Sequence, residues 1–120
     1  MEVTQKSIDR VHAMSFATVY PLYIIKAEKK NRTKAEVDEL IFWLTGYDKK
    51  TLSKEIENNS NFVDFFKHAP KFNPNAKKIT GMICGYRIED IKDTVLRKVR
   101  YMDKLIDELA KGKPMEKILR

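Results

Sequence analysis

Cys84 beside Gly85 is the one thiol of the chain. A thiolate activated by a helix end or a nearby base would make a nucleophile. No motif pairs Cys84 with a base, and free cysteine is among the most buried residue types, so packing outweighs catalysis and no catalytic residue is assigned. His12 and His68 are the two imidazoles, far apart and without ligand spacing, which points to structural roles and no metal. His12 falls near the face of Ile8 and Val11, and His68 at a helix end where it would meet terminal carbonyls. Gly46, Gly81, Gly85 and Gly112 form neither a dinucleotide fingerprint nor a P-loop, so no cofactor is expected.

Two groups of side chains point to binding. Tyr20, Tyr23, Trp43 and Tyr86, with Tyr47 and Tyr101, combine apolar bodies with polar tips of the kind that line ligand clefts, although core packing accounts for most of such aromatics. Arg87 is the cation that, inside such a pocket beside Tyr20 or Tyr86, would make an anionic small ligand the leading idea. On a long helix near the C-terminus, Arg97, Arg100, Lys104 and Lys111 fall on the side opposite the apolar stripe, a basic ridge able to track phosphates. Asp103, Asp107 and Glu108 interleave with it, as on an ordinary solvated helix face. Residues 34–57 have the length of a helix-turn-helix, with Lys49, Lys50, Thr51, Ser53 and Lys54 on the second helix, but their net charge is negative and any helical hairpin fits the pattern.

The elements that position these groups follow from hydrophobic spacing and stop signals, which give seven candidate helices. Ser15 caps a helix whose face carries Phe16, Val19, Tyr20, Tyr23, Ile24 and Ala27; Pro21 demands either a kink or a start near Tyr20. Thr33 and Glu36 form a capping box ahead of Val37, Leu40, Ile41 and Leu44, and Gly46 ends that helix. Asp48 caps the next, with Leu52 and Ile56 inward. The cluster from Asn58 to Asn61 is a turn before the Phe62, Phe65 and Phe66 face, which Pro70 closes. Asn73 and Pro74 start a segment bearing Ala76, Ile79, Ile83 and Tyr86, read as helix with a short strand near 79–84 as the competing reading. As a helix it would carry Gly81 and Gly85 on one side, open to close approach. Asp93 caps the longest helix, striped by Val95, Val99, Met102, Ile106 and Leu109 until Gly112. After Pro114, Met115, Ile118 and Leu119 make a small apolar patch that must dock on the body or on a partner.

Short links favour an all-α fold, a small irregular bundle of about six or seven helices. Residues 1–120 are expected to form one domain, with 1–7 a loose N-terminus and 113–120 a short C-terminal helical segment. The 42% hydrophobic content supports one modest core, while 34% charged residues spread among apolar positions argue against disorder. The longest apolar stretches, 19–25 and 41–44, are far short of the roughly 20 residues of a membrane span. Glu2, Lys6, Asp9 and Arg10 stand where a secretory signal would be apolar. The cytoplasm is therefore the expected compartment, in accord with a lone cysteine. A net charge of +7 allows an acidic partner but serves solubility equally.

Several of these stretches together resemble an uncharacterised bacterial family, domain of unknown function 2200. They are SFATVYPLY over 15–23, KAEKK over 26–30 with RTKAEVDE over 32–39, WLTGY over 43–47, Cys84-Gly85, and Arg100-Tyr101 with DKLIDELAKGK over 103–113. The resemblance covers nearly the whole chain and implies a compact helical fold of orthogonal type in a bacterial cytoplasm. It implies no activity and transfers no site residue. The family's typical pattern has Gly where this chain has Asn31.

The leading functional expectation is a non-enzymatic binding or assembly domain, with self-association suggested by Met115, Ile118 and Leu119. The alternatives are a nucleic-acid-binding domain using the basic helix face and a small-metabolite enzyme with an aromatic-lined pocket.

Overall fold

Seven helices and one two-stranded ribbon follow one another along residues 3–120, the part of the chain that the computed structural model describes. They are α1 (Gln5–Ala13), α2 (Phe16–Glu28), α3 (Lys34–Thr45), α4 (Lys49–Glu57), α5 (Phe62–Lys67), the strands β1 (Met82–Ile83) and β2 (Tyr86–Arg87), α6 (Thr94–Ala110) and α7 (Met115–Ile118). A 3-10 turn spans Pro74–Lys78 and another Ile88–Asp90. The architecture is the irregular all-α bundle that the spacing predicts.

Most boundaries are set by local chemistry. Ser15, Thr33, Asp48, Asn61 and Asp93 each accept a backbone N–H of the helix they open, which satisfies donors that have no intrahelical partner. At Thr33 the capping box is reciprocal: Glu36 N–H donates to Thr33 Oγ1 at 3.1 Å, and Thr33 N–H to Glu36 Oε1 at 3.0 Å. Gly46 closes α3 at φ 81°. Asn31 sits at φ 62° in the turn before α3, a left-handed conformation that Gly adopts freely and Asn tolerates.

α6 is the axis. It packs against α1, α2, α3, α5 and α7 as well as β1, and Leu105, Ile106 and Leu109 are buried along it. An aromatic cluster fills the other side of the core. Phe16 stacks on Phe65 with centroids 4.2 Å apart, and Phe62 and Phe66 meet Phe65 edge-on. Phe16, Phe62 and Phe65 are fully buried, each worth roughly 2–3 kcal/mol of apolar transfer. The chain entering α2 is tied to the chain entering α5, because Phe16 N–H donates to Ser60 O and Phe62 N–H to Met14 O, both at 3.0 Å. These two bonds hold α1, α2 and α5 around one edge of the molecule.

The structure decides four points that the sequence left open or read otherwise. α2 starts at Phe16 and runs through Pro21; past the first turn, the proline gives up the bond to the Ala17 carbonyl and its ring crowds that oxygen. α1 begins at Gln5 on a Thr4 capping box with Ser7, inside the stretch read as loose. Residues 76–87 are not a helix: after the 3-10 turn they form a hairpin in which Ile83 pairs with Tyr86 and Met82 with Arg87. Gly81, Cys84 and Gly85 all have positive φ, so the two glycines serve turns rather than a helix contact. Finally, the apolar C-terminal patch docks on the chain's own body. Ile118 is fully buried, and Arg120 Nη2 donates to both Glu108 oxygens at 2.8 and 2.6 Å, which removes the feature that suggested self-association.

Candidate functional site

The hairpin, α1, α2 and α6 enclose a cleft of about 510 Å³, a volume ordinary for a small-molecule site. Helical spacing and the pleat of β2 decide what reaches it. From α2, Val19, Leu22, Tyr23 and Lys26 recur every three or four residues and so project on one side. Val99, Arg100, Asp103 and Ile106 do the same from α6. Successive strand residues face opposite ways, so Tyr86 turns into the cleft and is buried while Arg87 is exposed on the other side. α1 contributes Arg10 and Val11 and its C-cap Met14, while β1 supplies Ile83 and the hairpin turn Cys84.

The walls are mainly apolar, and among the polar lining residues Tyr23, Arg100 and Asp103 form one hydrogen-bonded group. Tyr23 donates its hydroxyl proton to Asp103 Oδ1 at 2.5 Å. Arg100 Nη1 donates to Asp103 Oδ2 at 2.7 Å, and the Arg100 guanidinium lies over the Tyr86 ring, 5.3 Å from its centroid. Burial, reinforced by the Asp103 charge, pushes the Tyr23 hydroxyl well above its ordinary range. Cys84 is exposed, not buried as free cysteines usually are, but partial desolvation of its sulfur and Asp103 push the thiol up, against the smaller opposing pull of Arg100 and Lys26. Both groups therefore hold their protons at neutral pH. Arg100 Nε is buried without a hydrogen-bond partner among the described residues, a condition that costs about 1–3 kcal/mol when nothing satisfies the donor.

Of the aromatic residues singled out in the sequence, Tyr23 and Tyr86 meet in this cleft. Tyr20 lies elsewhere, its hydroxyl donating to Asp38 on α3 while Lys34 Nζ sits 5.6 Å from its ring. Trp43 borders a separate surface dent with Phe42 and Pro74. Arg100 is among the cations of the pocket, and Arg87 is not. Asp103, Arg10 and Lys26 also belong to the cleft and were not singled out as ligand-binding. The spacing of Arg100 and Asp103, three apart on one helix, was the available signal, but its meaning depends on which side of α6 is covered.

The basic ridge does not stand free. Arg100 faces the cleft, Arg97 Nη1 donates to Ile91 O at 2.9 Å, Lys104 Nζ donates to Met82 O at 3.1 Å, and Lys111 pairs with Asp107 at 2.9 Å. For Arg97, Arg100 and Lys104 the reason is that α6 is central and neighbouring segments cover sides that a surface helix would show to water; Lys111 stays exposed and pairs only along its own helix. On α4, Thr51 is used in the capping box with Asp48, and Ser53 Oγ donates to Lys49 O at 2.8 Å. His12 Nε2 and Asp93 Oδ2 lie 2.8 Å apart, joining α1 to the cap of α6. His68 Nδ1 meets Glu55 Oε1 at 2.9 Å, a side-chain partner in place of the expected carbonyls. Among the described residues no three of His, Cys, Asp and Glu converge as metal ligands, and no helix is long and apolar enough to cross a membrane.

A family model described as an uncharacterized protein conserved in bacteria, DUF2200, matches residues 10–120. A solved structure, that of the uncharacterized protein SP1917, is 38% identical, with a TM-score of 0.85 over 99% of this chain and 94% of that one. No curated protein matches.

Proposed function

The chain belongs to this uncharacterised family conserved in bacteria, DUF2200, and from that premise we propose that it is a non-enzymatic binding domain whose ligand is a small molecule with an apolar body, seated in the cleft between α1, α2, α6 and the hairpin. The observation that carries this reading is the pairing of aliphatic walls with one localised polar group, Tyr23, Arg100 and Asp103, at the place where four elements meet. Sites of that composition hold ligands by burial and orient them with a few fixed donors. Binding is favoured over catalysis because Tyr23 and Cys84 keep their protons at neutral pH and both Asp103 oxygens already accept hydrogen bonds; a general base needs a free acceptor near its working pH. The cytoplasm is the proposed compartment, in line with the single cysteine. One domain over 1–120 is the proposed unit. Nucleic-acid binding has less support, since the ridge cations are taken up by Ile91, Met82, Asp107 and the cleft itself.

The test uses Nile red, an uncharged dye that fluoresces when it leaves water. The full chain should take it up with a clear emission increase and a raised melting temperature, because a ligand selective for the native state stabilises it. Leu22 lines the cleft and is 60% exposed, so Leu22→Glu should leave the fold intact and abolish uptake. Equal uptake by the variant would overturn the assignment of the cleft.

A further inference from the structure

The cleft holds three cations, Arg10, Lys26 and Arg100, against the single carboxylate of Asp103. Their hydrogen bonding is equally one-sided. Asp103 uses one oxygen for Tyr23 and the other for Arg100, so a cationic ligand would have to compete with groups already in place. Arg100 is in surplus: a guanidinium has five N–H donors, of which Asp103 receives one from Nη1; Nε also lacks an acceptor but is closed off from solvent as the side chain stands. The Tyr86 ring supports the guanidinium from one face, leaving its planar edge as the direction for further hydrogen bonds. Lys26 Nζ is only loosely engaged, 3.3 Å from Asp107, and its side chain is 47% exposed. Two large apolar residues of the same cleft, Leu22 and Met14, lie open to water at 60% and 37%.

We infer that the ligand is an amphipathic carboxylate, its carboxyl group accepting from Arg100 with Lys26 and Arg10 nearby, and its apolar chain or ring covering Leu22 and Met14. This rests on the cleft reading above and adds the chemistry of the ligand's polar end. A carboxylate matches the fork of a guanidinium in two parallel bonds. A single negative charge also suits a largely aliphatic cavity, where a phosphate dianion would be costlier to strip of water.

Competition against Nile red on the full chain separates the possibilities. Decanoate, decanol, decylamine and decyl phosphate share one tail and differ in the head group. Decanoate should displace the dye at a concentration about tenfold lower than decanol, the difference one charge-assisted hydrogen bond makes, and its advantage should shrink as salt is added. Arg100→Lys keeps the charge and removes the fork, so it should lose most of that advantage while decanol is unaffected. Should that variant fail to fold, Arg10→Gln combined with Lys26→Gln, both at solvent-accessible positions, decides instead, with a loss of about threefold expected for two screened cations. Decanol equal to decanoate, or a preference for decylamine or decyl phosphate, overturns the carboxylate and leaves the cleft as a binding site. Unchanged preference in the variant that decides also overturns it. Failure of any tail to displace the dye, or of the dye to enter, overturns both.

Discussion

Cys84 shows how the surroundings of one residue decide between chemistry and structure. Its backbone is at φ 52°, a left-handed conformation uncommon for a residue with a Cβ, and with Gly85 at φ 82° it makes the turn that a two-residue hairpin requires. Cys84 is thus fixed by the turn, and its thiol borders the cleft close to the Asp103 charge. The residue is exposed, yet partial desolvation of its sulfur and that charge both disfavour the thiolate, which is the nucleophilic form. Alkylation by iodoacetamide should be slow at neutral pH, and its rate should rise with pH to give an apparent pKa above 9.0. An inflection well below that value would restore Cys84 as a nucleophile and remove the case for a purely binding site.

At the level of elements, α3 carries the clearest signals, and its end shows what a cap must also fit. Gly46 is left-handed, and a Cβ there would lie 2.6 Å from Lys71 N and 2.9 Å from Lys71 O. That strand of loop cannot move away freely, because Lys71 N–H donates to Thr45 O at 3.1 Å and Asn73 N–H to Leu44 O at 2.8 Å, taking up carbonyls left over at the helix end. Gly46→Ala should therefore cost about 3 kcal/mol, conformational strain plus the collision, seen as a lower urea midpoint; a change within error would mean that the loop yields. Such caps are legible in sequence because the polar side chain and the backbone donor lie three residues apart, as at Thr33 and Glu36. The hairpin was not, since its strands are two residues each and its turn uses Cys84 in place of the usual Asn or Asp. Nor was the role of Arg100. It lies about 100° round the helix from Val99 and further from the other members of the stripe, and whether that direction is water or cleft depends on α2 and the hairpin, which local spacing cannot report. The same limit separated Tyr23, which entered the site, from Tyr20, which paired with Asp38.

Ion pairs join distant elements at His12 with Asp93 and at Lys26 with Asp107, others such as Arg32 with Glu36 are local, and their titration gives the molecule's response to pH. Burial raises the Asp93 carboxyl, but hydrogen bonds from His12 and the Leu96 amide outweigh it and leave the group below its usual 3.8. Asp107 behaves alike, with Lys111 and Lys26 prevailing over burial, and Glu36 is held below 4.5 by Arg32 and the Thr33 amide. Each folded-state value is below the unfolded one, so the unfolded chain binds more protons in this window. The stability these groups contribute is complete above their ordinary values and is lost as pH falls through the depressed ones. Tyr23 gives the opposite limb: its hydroxyl is raised well above 10.0, so its contribution is present below that value and lost as pH rises beyond it. Stability measured by urea unfolding should form a plateau between these limits, with an acid slope that Asp93→Asn makes shallower, because one of the proton-binding groups is gone while the amide oxygen still caps α6. An unaltered slope in that variant would mean that the bond joining α1 to α6 carries none of the acid response, and a stability that climbs toward low pH would contradict the ion pairs as the links that hold these helices together.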